Sequence, residues 1–423
     1  MSAVRSLPGV NRTWPNRPGS VAAAPYRPLG YARSLRCRKD LPGARAIHSG
    51  CGIHDLSHVS VTGDVLLPVG IFELACDHWQ EHFVGAMLFG DLVEFGWGVV
   101  MKLVVALAGA LLFSLICEKA EAQVAREAFY SIPSETASAA DFLTGKKGTP
   151  VALAGQLRFA KSGSAKQPVV ILLHSGSGPI AEGAPFEEWP RVLNEVGIAT
   201  FAVDSYAGRG LVNYPADPGK ISFLTRIIDA YRALEVVAKE PRIDPSRVVV
   251  MGFSQGASAA LYSSMARFQK MYGNPDLLFV GHISAYAVCN TRFRDEEDVK
   301  KPILMLHGTA DDLTPVAPCR EYAERLSKAG KSARIIEYPD AHHQFDAPVY
   351  RTALRFEQGP ASRRCRLEEG ENGVVLNNET KQPLSPSDSC YEKGFTGADY
   401  QEAAANKSHE DVKAFLKDLF KLQ

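Results

Sequence analysis

The stretch Arg247-Val-Val-Val-Met-Gly-Phe-Ser-Gln-Gly-Ala257 joins a short apolar run to the motif Gly-x-Ser-x-Gly. This pattern predicts a strand, a sharp turn and a helix of small residues, with Ser254 on the turn. There is little room for a side chain two positions before and two positions after such a serine, and Gly252 and Gly256 have none. The motif is short enough to arise by chance, so its meaning depends on the rest of the chain.

Downstream of about residue 150, apolar strands alternate with amphipathic helices. Strands are predicted at 169–173, 198–203, 247–251, 278–283, 303–306 and 333–338. Helices are predicted at 223–239, after the strands at 278–283 and 303–306, and at 408–422. The alternation predicts an α/β fold with a doubly wound, mostly parallel sheet and flanking helices. Ligands of such sheets bind at the carboxyl ends of the strands, where Ser254 falls. The segment 359–406 is expected to be an irregular insertion.

The first hundred residues do not resemble a folding unit. Residues 1–50 hold nine Lys or Arg and one acid, whereas residues 51–100 hold seven acids and no Lys or Arg. Neither part has sustained hydrophobic periodicity. We expect residues 1–100 to be non-native upstream sequence or disordered. The alternative is a real N-terminal region followed by an internal anchor.

A secretory signal is predicted at 101–122. Lys102 provides the basic start, residues 103–117 form an apolar core, and Ala120 and Ala122 are the small residues before cleavage. An apolar core of about 15 residues suits a signal better than a membrane span, which needs about 20. We therefore expect Met101 to be the initiator, residues 123–423 to be the exported mature chain, and no membrane association after cleavage.

Four cysteines lie downstream of the predicted cleavage site: Cys289, Cys319, Cys365 and Cys390. An even, small number in an exported protein suggests disulfides, and three pairings are possible. Cys365 and Cys390 flank a polar stretch without core-forming residues, so we expect these two to pair and the other two to pair with each other. Four free buried thiols are the alternative if the protein stays in the cytosol.

Two later loops contain candidate partners for Ser254. A serine hydroxyl needs a base, usually histidine, oriented by a carboxylate. When the serine lies on a strand-to-helix turn, the acid and then the histidine come later along the chain, each after its own strand. Asp311 and Asp312 come after one predicted strand, and His342 and His343 come after the next. The residues alone leave both pairs open.

The chain from about 150 to 350 resembles the dienelactone hydrolase family of α/β-hydrolases. That family carries G-x-x-D-x-x-x-P around its acid and Y-P-x-A-x-H-x-F around its base. The resemblance implies Asp311 as the acid and His343 as the base. It leaves Asp312 as a turn-capping or solvated carboxylate, and His342 as a packed or substrate-side imidazole.

Ser254 departs from the family pattern, because the name-bearing members use a cysteine. The resemblance with a serine implies an esterase that forms an acyl-enzyme, rather than a lactone hydrolase. Gly-Phe-Ser-Gln-Gly also resembles acyl-protein thioesterase-like carboxylesterases, whereas His-x-Phe at 343–345 favours the dienelactone-type relatives. The alternatives are a serine peptidase of the prolyl-oligopeptidase type and a non-catalytic binding protein with this fold.

Backbone N–H groups must stabilise the oxyanion that forms on attack. The amide of Gln255 is one candidate. The loop 174–178 resembles a His-Gly-x-Gly-Gly loop, although Ser175 replaces its first glycine. Gly176 is the expected second donor, with Ser177 as a close alternative. The other interpretation is that the loop is a plain glycine-rich turn with no part in oxyanion binding.

Arg209 and Tyr206 are the candidate substrate-binding residues, because they come after a strand on the crevice side. Arg209 has the geometry to bind a substrate carboxylate, but bracing of its loop through Asp204 is the preferred interpretation. The net charge of zero gives no reason to expect nucleic acid as a partner. The expected partner is a small-molecule ester. No metal or dissociable cofactor is expected, since His282, His307 and His409 are isolated in the sequence. The oligomeric state is left open.

Overall fold

The computed structural model describes residues 127–161, 166–179, 185–212 and 221–422. The predicted signal at 101–122 and the segment 1–100 lie outside these residues and remain predictions.

The described residues form thirteen strands and seven helices, numbered along the chain. The strands are β1 (Glu127–Thr136), β2 (Thr149–Arg158), β3 (Gln167–Leu173), β4 (Ala199–Asp204), β5 (Ile243–Phe253), β6 (Gly281–Ala285), β7 (Thr291–Arg292), β8 (Ile303–Gly308), β9 (Ala333–Tyr338), β10 (Leu354–Ala361), β11 (Leu367–Glu369), β12 (Val375–Asn377) and β13 (Glu392–Ala398). The helices are α1 (Ala139–Thr144), α2 (Pro185–Glu195), α3 (Phe223–Val237), α4 (Gln255–Tyr262), α5 (Ala266–Tyr272), α6 (Val316–Lys328) and α7 (Glu402–Phe420).

Eight strands form one sheet in the order β1-β2-β4-β3-β5-β6-β8-β9. The six strands from β4 to β9 in this order are parallel, while β1 and β2 add an antiparallel edge. The predicted doubly wound, mostly parallel sheet is therefore confirmed. From β3 the chain goes outward to β4 and then returns to β5 on the other side. A crevice forms where the strand order reverses in this way, so β3 and β5 define the expected ligand site.

The central strands are buried on both faces. In β3, Val169, Ile171 and Leu173 belong to one hydrophobic core, whereas Val170 and Leu172 belong to the other. The first core includes apolar residues of α3, α4 and α6, and the second includes residues of α2 and α7. Alternate side chains of a strand point to opposite faces, so a continuous apolar run is what two covered faces require.

Several element predictions need correction. The strand predicted at 278–283 is shifted to Gly281–Ala285, because Leu278 is exposed and lies outside the sheet. The helix predicted after it is wrong, since the chain forms a loop and the two-residue β7. The terminal helix begins at Glu402, six residues earlier than predicted. The antiparallel β1 and β2 were not predicted.

The segment 354–398, called the insertion below, is more ordered than expected. β10 and β13 form a two-stranded ribbon, and β11 joins β12 and β7 in a small sheet. The described residues contain two disulfides, Cys289–Cys319 and Cys365–Cys390, the pairing expected from the sequence. Closing loops of this size contributes about 3 kcal/mol each in the chain-entropy model. Disulfides of this kind are typical of proteins in oxidising compartments.

His282, on β6, is a buried histidine that should make folding pH-dependent. Its Nδ1 lies 3.0 Å from the carbonyl oxygen of Ala260, which can only accept, so Nδ1 carries the proton. Burial lowers the pKa of His282 to about 4, and the bond to Ala260 only partly opposes this. As the pH falls below about 6.5, the unfolded chain binds a proton here that the folded protein does not. The free energy of unfolding is therefore unaffected by His282 above about pH 6.5, and it decreases as the pH falls from there towards 4.

We predict that His282→Asn reduces this acid sensitivity, because asparagine offers an N–H for Ala260 and does not titrate. Between pH 7 and pH 4 the wild type should lose about 3 kcal/mol more free energy of unfolding than the variant. Urea denaturation at several pH values measures the difference, since other titrating groups act equally in both proteins. Parallel losses in the two proteins would contradict the prediction.

Candidate active site

Ser254 lies on the sharp turn between β5 and α4. Its φ of 51° and ψ of −112° place it in a strained region for a residue with a side chain. A Cβ added to Gly252 would lie 2.0 Å from the carbonyl oxygen of Gly256, and one added to Gly256 would lie 2.2 Å from that of Leu173. Both glycines are therefore required by backbone contacts, and the turn holds Ser254 at the carboxyl end of β5.

We predict that Gly256→Ala destabilises the protein by about 3 kcal/mol or more, because backbone atoms must move to admit the methyl group. Gly330→Ala is the matched control. Gly330 has a φ of +73° but open space around its Cβ position, so only the left-handed conformation costs energy, about 1 to 2 kcal/mol. Denaturant titration compares the two variants, and equal losses would show that crowding at Gly256 is unimportant.

Two loops bring side chains to Ser254. The acid loop (309–315) comes after β8, and the base loop (339–346) comes after β9. Nε2 of His343 lies 2.9 Å from Oγ of Ser254, and Nδ1 of His343 lies 2.7 Å from Oδ2 of Asp311. Three residues predicted from separate parts of the sequence therefore meet at one edge of the sheet.

The neighbours of Asp311 determine the protonation states of the site. Burial alone raises the pKa of Asp311, but His343 and His307 outweigh it and hold this pKa below its usual range. Asp311 is therefore ionised and can only accept, so Nδ1 of His343 carries the proton and donates it. In the neutral imidazole with this tautomer, the lone pair on Nε2 faces the Ser254 hydroxyl, which is the arrangement needed to remove its proton.

Asp311 is held by its own loop. Its Oδ1 accepts the backbone amides of Leu313 (3.1 Å) and Thr314 (2.8 Å), and Oδ2 accepts Oγ1 of Thr314 (2.9 Å). His307, isolated in the sequence, lies with Nε2 3.5 Å from Oδ2 of Asp311 and 2.6 Å from the carbonyl oxygen of Thr314. These bonds fix the orientation of the carboxylate.

The neighbouring candidates lie elsewhere. Oδ1 of Asp312 accepts the amide of Thr396 at 2.8 Å, so Asp312 binds β13 rather than contacting His343. His342 is half-buried, and its Nδ1 has no hydrogen-bond partner among the described residues. The structure thus separates Asp311 from Asp312 and His343 from His342 by position.

The glycine loop (174–178) comes after β3 and faces the same edge. Oγ of Ser175 accepts the amide of Ser177 at 3.0 Å and the side-chain amide of Gln344 at 2.9 Å. The Ser177 amide is therefore occupied, which argues against it as an oxyanion donor. Neither Gly176 nor Gln255 donates its backbone N–H to another of the described residues.

The structure corrects the role of Arg209. All five of its N–H groups are used, two of them on the buried carboxylate of Asp229 at 2.8 Å each. The others reach Oγ1 of Thr136 and the carbonyl oxygens of Ser205 and Glu135. No donor remains for a substrate carboxylate. Arg209 braces its loop, as preferred from the sequence, but through Asp229 and not Asp204.

Tyr206 also differs from its expected role. Its side chain is 1% exposed and packs edge-on against His174, with ring centroids 4.4 Å apart. Its hydroxyl lies 3.3 Å from Oε1 of Gln255 and 3.4 Å from the carbonyl oxygen of Gly176. A side chain this deeply buried packs against the glycine loop and is not accessible to substrate.

Sequence reasoning missed Tyr286, which comes directly after β6. Its ring contacts His343 edge-on at 4.9 Å, and its φ is 48°. Its hydroxyl donates to Asp346 at 2.8 Å, and Nε1 of Trp189 donates to the same carboxylate at 2.8 Å. Burial nevertheless raises the pKa of Asp346 above its usual value. Nothing in the local sequence marks Tyr286, because its partners come from distant segments.

Neither a metal centre nor a membrane span is evident in the part of the chain that the structure describes. No group of three or more His, Cys, Asp or Glu side chains there is arranged to hold a metal ion. No helix in the same ranges combines the length and apolar character needed to cross a bilayer.

The sheet topology, the strained serine turn and the two loops after β8 and β9 define an α/β-hydrolase. The model of the dienelactone hydrolase family matches residues 156–420. The chain belongs to the dienelactone hydrolase family.

Individual relatives are distant. An uncharacterized peptidase of Bacillus subtilis is 23% identical over 253 residues, which cover 52% of this chain and 36% of that protein. A putative carboxymethylenebutenolidase of Methylorubrum extorquens is 26% identical over 184 residues, which cover 40% of this chain and 60% of that protein. The chain spans less than half the length of the first curated relatives that it matches.

Two solved structures illustrate the structural comparison. A putative dienelactone hydrolase from Klebsiella pneumoniae has 16% identity and a TM-score of 0.44, with 68% of this chain and 98% of that chain covered. A thermophilic esterase from Thermogutta terrifontis with bound propionate has 19% identity and a TM-score of 0.37, with 46% of this chain and 80% of that chain covered.

Proposed function

We propose that this protein is a serine hydrolase of carboxylic esters, with Ser254 as nucleophile, His343 as general base and acid, and Asp311 as the group that orients the imidazole. The observation that carries the proposal is the continuous hydrogen-bonded line from Ser254 through His343 to Asp311, with contacts of 2.9 and 2.7 Å. Membership of the dienelactone hydrolase family supports the same class of reaction.

In the first half of the reaction, Oγ of Ser254 attacks the ester carbonyl carbon while its proton passes to Nε2 of His343. The negative charge that develops on the carbonyl oxygen is stabilised by the backbone N–H groups of Gln255 and Gly176. The tetrahedral intermediate then breaks its bond to the alkoxy oxygen. That oxygen takes the proton from His343 and leaves as the alcohol, and the acyl group stays on Ser254.

In the second half, water replaces the alcohol. His343 takes a proton from the water as it attacks the acyl carbon, and the same two amides stabilise the second oxyanion. Collapse releases the carboxylic acid and returns the proton to Oγ of Ser254. Asp311 remains ionised throughout and stabilises the imidazolium that forms in each half.

Hydrolysis of short p-nitrophenyl esters by the chain from Gln123 tests the proposal. We expect saturable release of p-nitrophenol with a kcat in the range of about 1 to 1000 per second. Matched p-nitroanilides of acylated amino acids test peptidase activity, which the names of several relatives suggest. Turnover of the anilides but not the esters favours a peptidase, and turnover of neither by folded protein favours a binding protein.

We also infer that the protein is exported by the signal at 101–122, with cleavage after Ala122. The two disulfides support an oxidising destination. N-terminal analysis of the protein from its native cells should find a chain that begins at Gln123. Mature protein that retains residues 101–122 would contradict this inference.

A further inference from the structure

We propose that the insertion holds the acid loop and the base loop in register, and that Arg363 and Asp312 are positioning residues for catalysis. The proposal rests on the function proposed above. It assigns a catalytic consequence to the disulfide-closed segment that sequence reasoning treated as an irregular excursion.

The insertion contacts the acid loop at the residue directly after Asp311. The amide of Thr396, on β13, donates to Oδ1 of Asp312 at 2.8 Å. Nη1 of Arg363 donates to the backbone carbonyl oxygen of Asp312 at 3.0 Å. Asp312 is therefore held through both its side chain and its main chain, and it directly follows Asp311 in the chain.

The residues directly after β13 contact the base loop. The amide of Asp399 donates to the carbonyl oxygen of His343 at 3.2 Å, and the amide of Gln401 donates to that of Phe345 at 2.9 Å. One stretch of six residues, 396–401, thus bonds to the loop that bears the acid and to the loop that bears the base.

Arg363 ties this stretch to the rest of the insertion. Its Nε donates to Oε2 of Glu392 at 2.7 Å, and its Nη1 also donates to the carbonyl oxygen of Gly394 at 2.7 Å. The disulfide between Cys365 and Cys390 closes the insertion two residues from Arg363 and two residues from Glu392. The guanidinium therefore lies where the ribbon, the disulfide and the acid loop meet.

The catalytic consequence comes from geometry. The bond from His343 to Asp311 joins two loops that are separated by a strand and a helix, so it forms only if both loops keep their positions. A displacement of about 1 Å in catalytic groups can cost on the order of a hundredfold in rate. The insertion contacts both loops, so loss of these contacts should leave the imidazole of His343 less well oriented.

Arg363→Ala tests the proposal, with Arg355→Ala as the matched control. Arg355 lies on β10 in the same ribbon, is exposed, and makes no side-chain hydrogen bond or ion pair with another described residue. We expect Arg363→Ala to lower kcat on a p-nitrophenyl ester by about 10- to 100-fold, with KM changed less than about twofold. Arg355→Ala should match the wild type, and circular dichroism should find all three proteins folded.

A double-mutant cycle with Asp311→Asn separates positioning from a general loss of structure. If Arg363 acts through Asp311, adding Arg363→Ala to Asp311→Asn should lower kcat less than about twofold. An equal loss in both backgrounds, or a kcat for Arg363→Ala equal to that of the control, overturns the proposal. Should Arg363→Ala not fold, Asp312→Ala removes the acceptor of the Thr396 amide and enters the same cycle with the same criteria. Wild-type protein without esterase activity would instead overturn the proposed function.

Discussion

Replacing Ser254 with alanine should lower kcat for ester hydrolysis by about a millionfold while leaving the fold intact. The reason is that without Oγ of Ser254 no acyl-enzyme can form, so His343 and Asp311 have no hydroxyl to activate. A small acceleration over the uncatalysed reaction can remain, because the amides of Gln255 and Gly176 still stabilise an oxyanion.

Ser389→Ala is the matched control for this experiment, since Ser389 is exposed in the insertion. Both variants should have the circular dichroism spectrum and melting temperature of the wild type to within a few degrees. Steady-state kinetics on one p-nitrophenyl ester then measures the difference. Activity in Ser254→Ala above about a hundredth of the wild type would mean that another nucleophile is used.

The second large effect is expected at Asp311. Asp311→Asn keeps the size of the side chain but removes the charge that stabilises the imidazolium, and it favours the wrong tautomer of His343. We expect kcat to fall by about ten-thousandfold, with little change in KM. The bonds from Leu313 and Thr314 can still be accepted by an amide oxygen, so the acid loop should remain folded.

Asp312→Asn is the comparison that separates the two adjacent carboxylates. An asparagine oxygen can still accept the Thr396 amide, so we expect this variant to lose less than about tenfold in kcat. The same ester assay and the same fold controls apply to both variants. A larger loss in Asp312→Asn than in Asp311→Asn would reverse the assignment of the acid.

The sheet and the turn at Ser254 could be predicted from the sequence because their causes are local. The buried strand β3 is a continuous apolar run, and the glycines beside Ser254 mark positions where a Cβ would meet backbone atoms. The acid and base loops come after β8 and β9, two further predicted strands of the parallel sheet, so their order along the chain places them at one edge.

The rest depends on contacts between distant parts of the chain. Arg209 pairs with Asp229 on α3, a partner that no local pattern around Arg209 indicates. Tyr286 bonds through its hydroxyl to Asp346, which comes from another segment, and Trp189, from a third, donates to the same carboxylate. Such pairings require the folded sheet, so local pattern could not supply them.

The insertion escaped prediction for a related reason. β11 and β12 are only three residues long, while β10 and β13 contain glycine and bury few side chains, so none shows the sustained alternation that identifies a strand with one buried face. Order there comes from the Cys365–Cys390 disulfide, the side chain of Arg363 and the pairing of β10 with β13. Composition alone therefore suggested an irregular segment.

The central claim is that Ser254 is made nucleophilic by His343 and Asp311. Reaction with a fluorophosphonate probe and then peptide mapping tests it most directly, because the probe phosphonylates activated serines without requiring the natural substrate. We predict one adduct, on Ser254, in the wild type, and labelling slower by about a hundredfold or more in His343→Ala. Folded wild-type protein that takes up no probe, or takes it up at another residue, would contradict this claim.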